Sequence, residues 1–153
     1  MAYGLYYSRI VKKGRQTWKS ARFDPSTTDP LDKEIIPLCD ALNNAEFITT
    51  ESCSGHGKAW ANVFFWHRSV KRIESLARFV IRKELEQGDY RPYFSMWQKE
   101  ILDRGYIWYV EIHTNGVGKY TPWKVSLEKS RESCDKVAQL INEWYALFGN
   151  MNK

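Results

Sequence analysis

Apolar positions recur along the chain with two periods, and the changes between them mark the elements. Leu31, Ile35, Leu38, Cys39 and Leu42 stand three and four residues apart, which is one face of a helix. Asp29 suits its N-cap, Pro30 its first position and Asp32 its first turn, and Asn43-Asn44 suits its end. Pro37 inside the run allows a kink or a break one turn earlier. Val70, Ile73, Leu76, Ala77, Val80, Ile81 and Leu85 predict a second helix, capped by Ser69 and stopped by Gly88. Cys134, Val137, Ile141, Trp144 and Phe148 share one face of a last helix that Ser130 would cap. On this spacing Cys39 and Cys134 are core thiols.

Between the helices the pattern shortens. Phe47–Thr50 and Ala61–Trp66 read as strands, and Tyr106–His113 alternates around β-branched and aromatic residues. Tyr90–Trp97 holds Pro92, which suits an edge strand. Asn115-Gly116 with Gly118 predicts a tight turn, and Trp123–Leu127 its hairpin partner. Residues 3–23 lack clean periodicity, and Asp24–Asp29 is a loop. Helices and strands are interspersed without regular βαβ units. The expected fold class is therefore α+β: a single domain over 1–153, with a mixed sheet and about three helices packed on it. Within it, residues 1–28 form a basic, aromatic N-terminal segment. Residues 29–88 form a helix–strand–loop–strand–helix unit, and 89–153 the remaining strands and the C-terminal helix.

Composition changes this picture in one respect. With 43% hydrophobic and 27% charged residues the chain should be globular. Aromatic residues reach 15%, including seven Trp and nine Tyr, more flat surface than a core of this size needs. Some should face a ligand or a partner, a homodimer included; the alternative is an aromatic-rich core. The net charge is +5, and Arg9, Lys12, Lys13, Arg15, Lys19 and Arg22 all precede the first acid, Asp24. With Tyr6, Tyr7 and Trp18 nearby, Lys12, Lys13, Arg15 and Lys19 are candidates for nucleic-acid contact; the alternative is a solvated basic arm. Three scattered cysteines suggest a reducing compartment. With no membrane-length apolar run and no signal-peptide order at the N-terminus, the expected location is cytoplasmic, with no membrane partner.

The densest chemistry lies in Thr49–Lys58, TTESCSGHGK, between two strand candidates. Its glycines let the backbone turn and approach a ligand, and its hydroxyls and free N–H groups could wrap an anion. Cys53 and His56 have a spacing that zinc can use, but His67 and His113 are single and distant, so no metal site is assigned. Cys53 as a nucleophile lacks any further signature, and Glu51 is either an orienting carboxylate or a surface residue. Neither a dinucleotide fingerprint nor a P-loop is present, and no catalytic residue is singled out.

The stretch from Leu31 to Val70 resembles the central part of the wybutosine-synthesis tRNA methyltransferase family. The likeness rests on Ile35-Ile36-Pro37-Leu38, Asn43, Thr49-Thr50, the signature Ser52-Cys53-Ser54-Gly55, Phe64, Phe65, Trp66-His67-Arg68 and Val70. Where that family commonly has arginine after the signature glycine, this chain has His56-Gly57-Lys58. The resemblance implies an α+β fold, S-adenosylmethionine as methyl donor and a modified guanosine in tRNA as acceptor. It implies a site at Ser52, Cys53, Ser54 and Gly55, with His67 and Arg68 in support. The expected function is binding of a nucleotide-type ligand (nucleotide, adenosyl compound or RNA), with a nucleotide or tRNA-like ligand as partner, by Thr50, Ser52, Cys53, Ser54, Gly55, His56, Lys58, Trp66, His67 and Arg68. The alternatives are an S-adenosylmethionine-dependent tRNA methyltransferase and a non-catalytic protein-interaction module.

Overall fold

Among the described residues, four strands and three α-helices follow one another as α1 (Ile36–Asn44), β1 (Ile48–Cys53), β2 (Ala61–His67), α2 (Val70–Gln87), β3 (Tyr90–Ile101), β4 (Gly105–Thr114) and α3 (Leu127–Phe148). This is a computed structural model, and it describes residues 32–55, 57, 59–87, 90–101, 105–114 and 126–150. The sheet order is β1-β2-β4-β3. The fold is α+β as expected, but among the described residues every pairing is antiparallel and the sheet is not mixed. Two hairpins produce this. β1 and β2 flank the Ser-Cys-Ser-Gly loop, α2 carries the chain across the sheet, and β4 returns from the edge strand β3 to pair with β2.

The described helices lie on one side of the sheet. Leu38, Leu42, Ile73, Leu76, Val80, Val137, Ile141 and Trp144 pack with Ala61, Val63, Phe65, Val110 and Ile112 into one core. Phe47, fully buried, sits edge-on to Phe65 at 5.6 Å and beside Trp144 at 5.7 Å. Truncating such a side chain typically costs about 3–5 kcal/mol. Cys39 and Cys134 are core thiols, and burial, with Cys39 close by, pushes Cys134 up to about 12.

Several boundaries differ from the sequence expectation, each for a local reason. A 3-10 turn over Lys33–Ile35 precedes α1, and Pro37 falls in the first turn of α1, where its missing N–H has no helical partner to lose. The expected cap, Asp29-Pro30, lies outside the described residues. Ser69 does cap α2, its Oγ accepting from the Arg72 N–H at 3.2 Å. The buried face of α2, however, is Arg72, Ile73, Leu76, Val80 and Glu84, while Ile81 and Leu85 are 40% and 74% exposed. Hydrophobicity alone mis-set that face, because two charged residues are buried on it. Ser126, not Ser130, caps α3, accepting from the Lys129 N–H at 3.1 Å. Leu127 therefore opens a helix rather than closing a strand, and the rest of the expected hairpin, 115–125, lies outside the described residues. Pro92 does stand on an edge strand. Among the described residues no helix is long and apolar enough to cross a membrane.

Candidate functional site

The Ser-Cys-Ser-Gly segment closes the β1–β2 hairpin, and its geometry is set by internal bonds. A bulge at Thr50 lets the Thr50 hydroxyl donate to the Phe64 carbonyl at 3.3 Å. Behind it, the buried amide of Asn43 donates to Thr49 Oγ1 at 2.7 Å and accepts from the Thr49 N–H at 3.2 Å, fixing α1 to β1. Gly55 has φ +85° and Gly57 φ +75°, the left-handed turn the sequence anticipates. The Gly55 carbonyl accepts from the Ala59 N–H at 3.1 Å, tightening the return to β2.

The loop's N–H groups are less available than a free anion cradle requires. Asp32 Oδ2 accepts from the Ser54 N–H at 2.9 Å, and Cys53 Sγ accepts from the Gly55 N–H at 3.3 Å. A carboxylate of the chain itself thus holds one of the donors a phosphate would take. Asp32 was expected only to favour a helix start, so its reach of twenty-two residues to the loop is a contact that local sequence does not reveal. Thr50, Ser54 and Gly55 are buried, and Ser52 and Cys53 are half-buried. The hydroxyl of Ser52 is buried without a hydrogen-bond partner among the described residues. His56 and Lys58 lie outside the described residues, as do Lys12, Lys13, Arg15 and Lys19.

Trp66, His67 and Arg68 stand at the far end of β2, which at strand rise is roughly 20 Å from the loop. Trp66 is buried, and its indole covers Gly105 so closely that a Cβ there would meet the ring at 2.0 Å. It offers no open stacking surface. His67 packs against Phe47 at 4.9 Å and accepts the Ser69 N–H on Nδ1 at 2.9 Å. Burial, and then the neighbouring Arg72 guanidinium, lower it to about 4, so it is a neutral structural histidine at neutral pH. Arg68 is exposed. The residues expected to support the loop are therefore not brought to it. Among the described residues, no three His, Cys, Asp or Glu side chains are placed to hold a metal ion.

What the fold does assemble is on the other side of the sheet. Strand alternation sends Val63, Phe65, Val110 and Ile112 to the helices, and Asn62, Phe64, Tyr109, Glu111 and His113 to the opposite face. No described helix covers that face. Phe64 sits 4.8 Å from Tyr109 and edge-on to Trp97 at 5.3 Å. Trp60, on the return from the loop, stacks on His113 at 3.8 Å, and Tyr93 lies parallel to the same imidazole at 6.0 Å. Tyr93 and Trp97 are 55% and 63% exposed. Trp97 is the extra residue of a bulge in β3, which frees it from the ladder. Cys53 pairs with Asn62 and Asn62 with Glu111, so the thiol shares this row.

The polar members are tied together. Glu111 Oε1 is 2.5 Å from His113 Nε2, and Oε2 accepts the Tyr109 hydroxyl. Burial, then that bond to Glu111, hold the Tyr109 phenol well above its usual range, so it remains a donor. The indole N–H of Trp60 is buried without a partner among the described residues. Comparison with family models, curated proteins and solved structures gives no match for this chain. The site therefore rests on its own geometry. Only the alternation over Tyr106–His113 hinted at it in sequence; Trp60, Tyr93 and Trp97 join it through cross-strand register, which local sequence does not display.

A separate surface groove of about 450 Å³ runs along α2 beside Phe148, lined by Lys71, Arg78, Phe79, Arg82 and Lys83 together with Glu74 and Glu86. Its charges are mixed, and Lys83 is engaged with Glu143 at 4.0 Å. It is remote from the loop and from the aromatic face.

Proposed function

We propose that the chain binds a nucleotide-type ligand, most simply single-stranded RNA, on the aromatic face of the sheet beside the Ser-Cys-Ser-Gly loop. The observation that carries this is the row of Trp60, Phe64, Tyr93, Trp97 and Tyr109 on the side that no described helix covers, with Tyr93 and Trp97 turned to solvent. An antiparallel sheet with helices behind and aromatic rings in front suits unpaired bases, because every base has a face to stack. In this proposal Lys12, Lys13, Arg15 and Lys19 meet the phosphates, and the loop shapes the end of the binding face rather than wrapping an anion.

The test is titration of a labelled single-stranded RNA, followed by anisotropy and tryptophan quenching, with S-adenosylmethionine measured in parallel by calorimetry. Trp97→Ala and Tyr93→Ala should each weaken RNA binding by about 1–3 kcal/mol, roughly 5- to 150-fold, without lowering the melting temperature. Affinity that falls with added salt while neither aromatic matters would assign binding to the basic segment alone and remove the sheet face from the proposal.

A further inference from the structure

Resting on the nucleotide-binding proposal, the geometry points to His113 as a general base, positioned by Glu111, that acts on a ribose 2′-hydroxyl of bound RNA. Glu111 accepts the hydroxyl of Tyr109 on one oxygen and faces His113 Nε2 with the other at 2.5 Å. With Glu111 accepting on both oxygens, the imidazole donates from Nε2, which leaves Nδ1 as the nitrogen that can take a proton. Nδ1 makes no hydrogen bond among the described residues. Trp60 on one side and Tyr93 in parallel hold the ring, whose side chain keeps 33% exposure on the face that no described helix covers. A base whose opposite nitrogen is oriented by a carboxylate is the working half of a nucleophile-activating triad. No described hydroxyl or thiol of the protein is bonded to Nδ1 to serve as nucleophile, whereas RNA brings its own next to each phosphate. Arg91, exposed and directly opposite His113 in register, puts a cation on the neighbouring strand for that phosphate.

The step balances without a co-reactant. The 2′-hydroxyl gives its proton to Nδ1, and the oxygen's electron pair forms a bond to phosphorus. The P–O5′ bond breaks, its pair leaving with the 5′-oxygen, which takes a proton from water. The imidazolium then returns its proton to solvent. The products are a 2′,3′-cyclic phosphate and a 5′-hydroxyl.

The experiment incubates the full chain with a labelled single-stranded RNA of mixed sequence and with its 2′-deoxy counterpart, measuring cleavage and binding on both. Cleavage of the RNA alone, with a cyclic phosphate end, is expected. His113→Gln should slow it at least about a hundredfold while binding the deoxy strand as the wild type does. Glu111→Gln should lower kcat with KM and deoxy-strand affinity little changed, the signature of a positioning residue; melting curves of both variants establish that they fold. Binding without cleavage, or cleavage that His113→Gln leaves intact, overturns the base assignment and leaves the nucleotide-binding proposal standing. Neither binding nor cleavage overturns both.

Discussion

A histidine ring wedged against Phe47 and facing the Arg72 guanidinium cannot take up a proton without losing hydration and meeting a like charge. For His67 this means a folded pKa of about 4 against 6.5 for the free side chain. Between these values the unfolded chain binds the proton and the folded chain does not. Its contribution is therefore complete above about pH 6.5 and is lost as the pH falls towards 4, for a total of about 3 kcal/mol. Urea midpoints of the wild type should drop over that window, and those of His67→Gln should drop less. Equal slopes for the two proteins would show that His67 is not the group responsible. The contrast with His113 is instructive. Both belong to strands and both are half-buried, yet one packs on Phe47 of the core and the other lies on the opposite face of the sheet with a carboxylate partner.

At the scale of elements, the β1–β2 hairpin depends on one position more than on its hydroxyls. Gly55 has φ +85°, and a Cβ there would lie 2.0 Å from the Ala59 carbonyl oxygen. Gly55→Ala combines left-handed strain with a clash against backbone that cannot swing away. It should cost about 2 kcal/mol or more, lowering the melting temperature by roughly 4–8 °C. A thermal melt matching the wild type would mean that the loop re-forms without its turn. This glycine was legible in sequence, because a glycine-bearing polar stretch between two apolar runs has few other uses. What the loop holds was not legible. Asp32 reaches Ser54 across the chain and Cys53 Sγ takes the Gly55 N–H, so two of the signature's backbone donors are spent on anchoring the turn. The faces of α2 carry the same lesson: periodicity placed the helix, but Arg72 and Glu84 took buried positions that the hydrophobic pattern gave to Ile81 and Leu85.

Across the whole molecule, Arg72 joins three parts of the chain. Its Nη2 donates to Glu46 Oε2 at 3.3 Å, after α1, and to the Gly149 carbonyl at 2.9 Å, at the end of α3, while its guanidinium lies 5.1 Å over the Trp144 ring. A buried cation held this way is costly to leave half-paired. Arg72→Met keeps the stem but strands its partners, and should lower unfolding free energy by about 2–4 kcal/mol. It should also speed amide exchange in the last turn of α3. A variant with an unchanged denaturant midpoint would make the bridge energetically neutral. By itself the sequence determined the α+β class, the described helices, the strand cores, the glycine-bearing loop between β1 and β2 and the burial of Cys39 and Cys134, because each follows from the period of apolar residues and local turn chemistry. Only the tertiary structure decided that the described sheet is antiparallel, that His67 packs on Phe47 while His113 pairs with Glu111 on the other face, and that Trp60, Tyr93, Trp97, Tyr109 and Glu111 share one face. The reason is physical: period-two alternation tells which residues of a strand go together, but strand order and register alone tell which strands' faces meet.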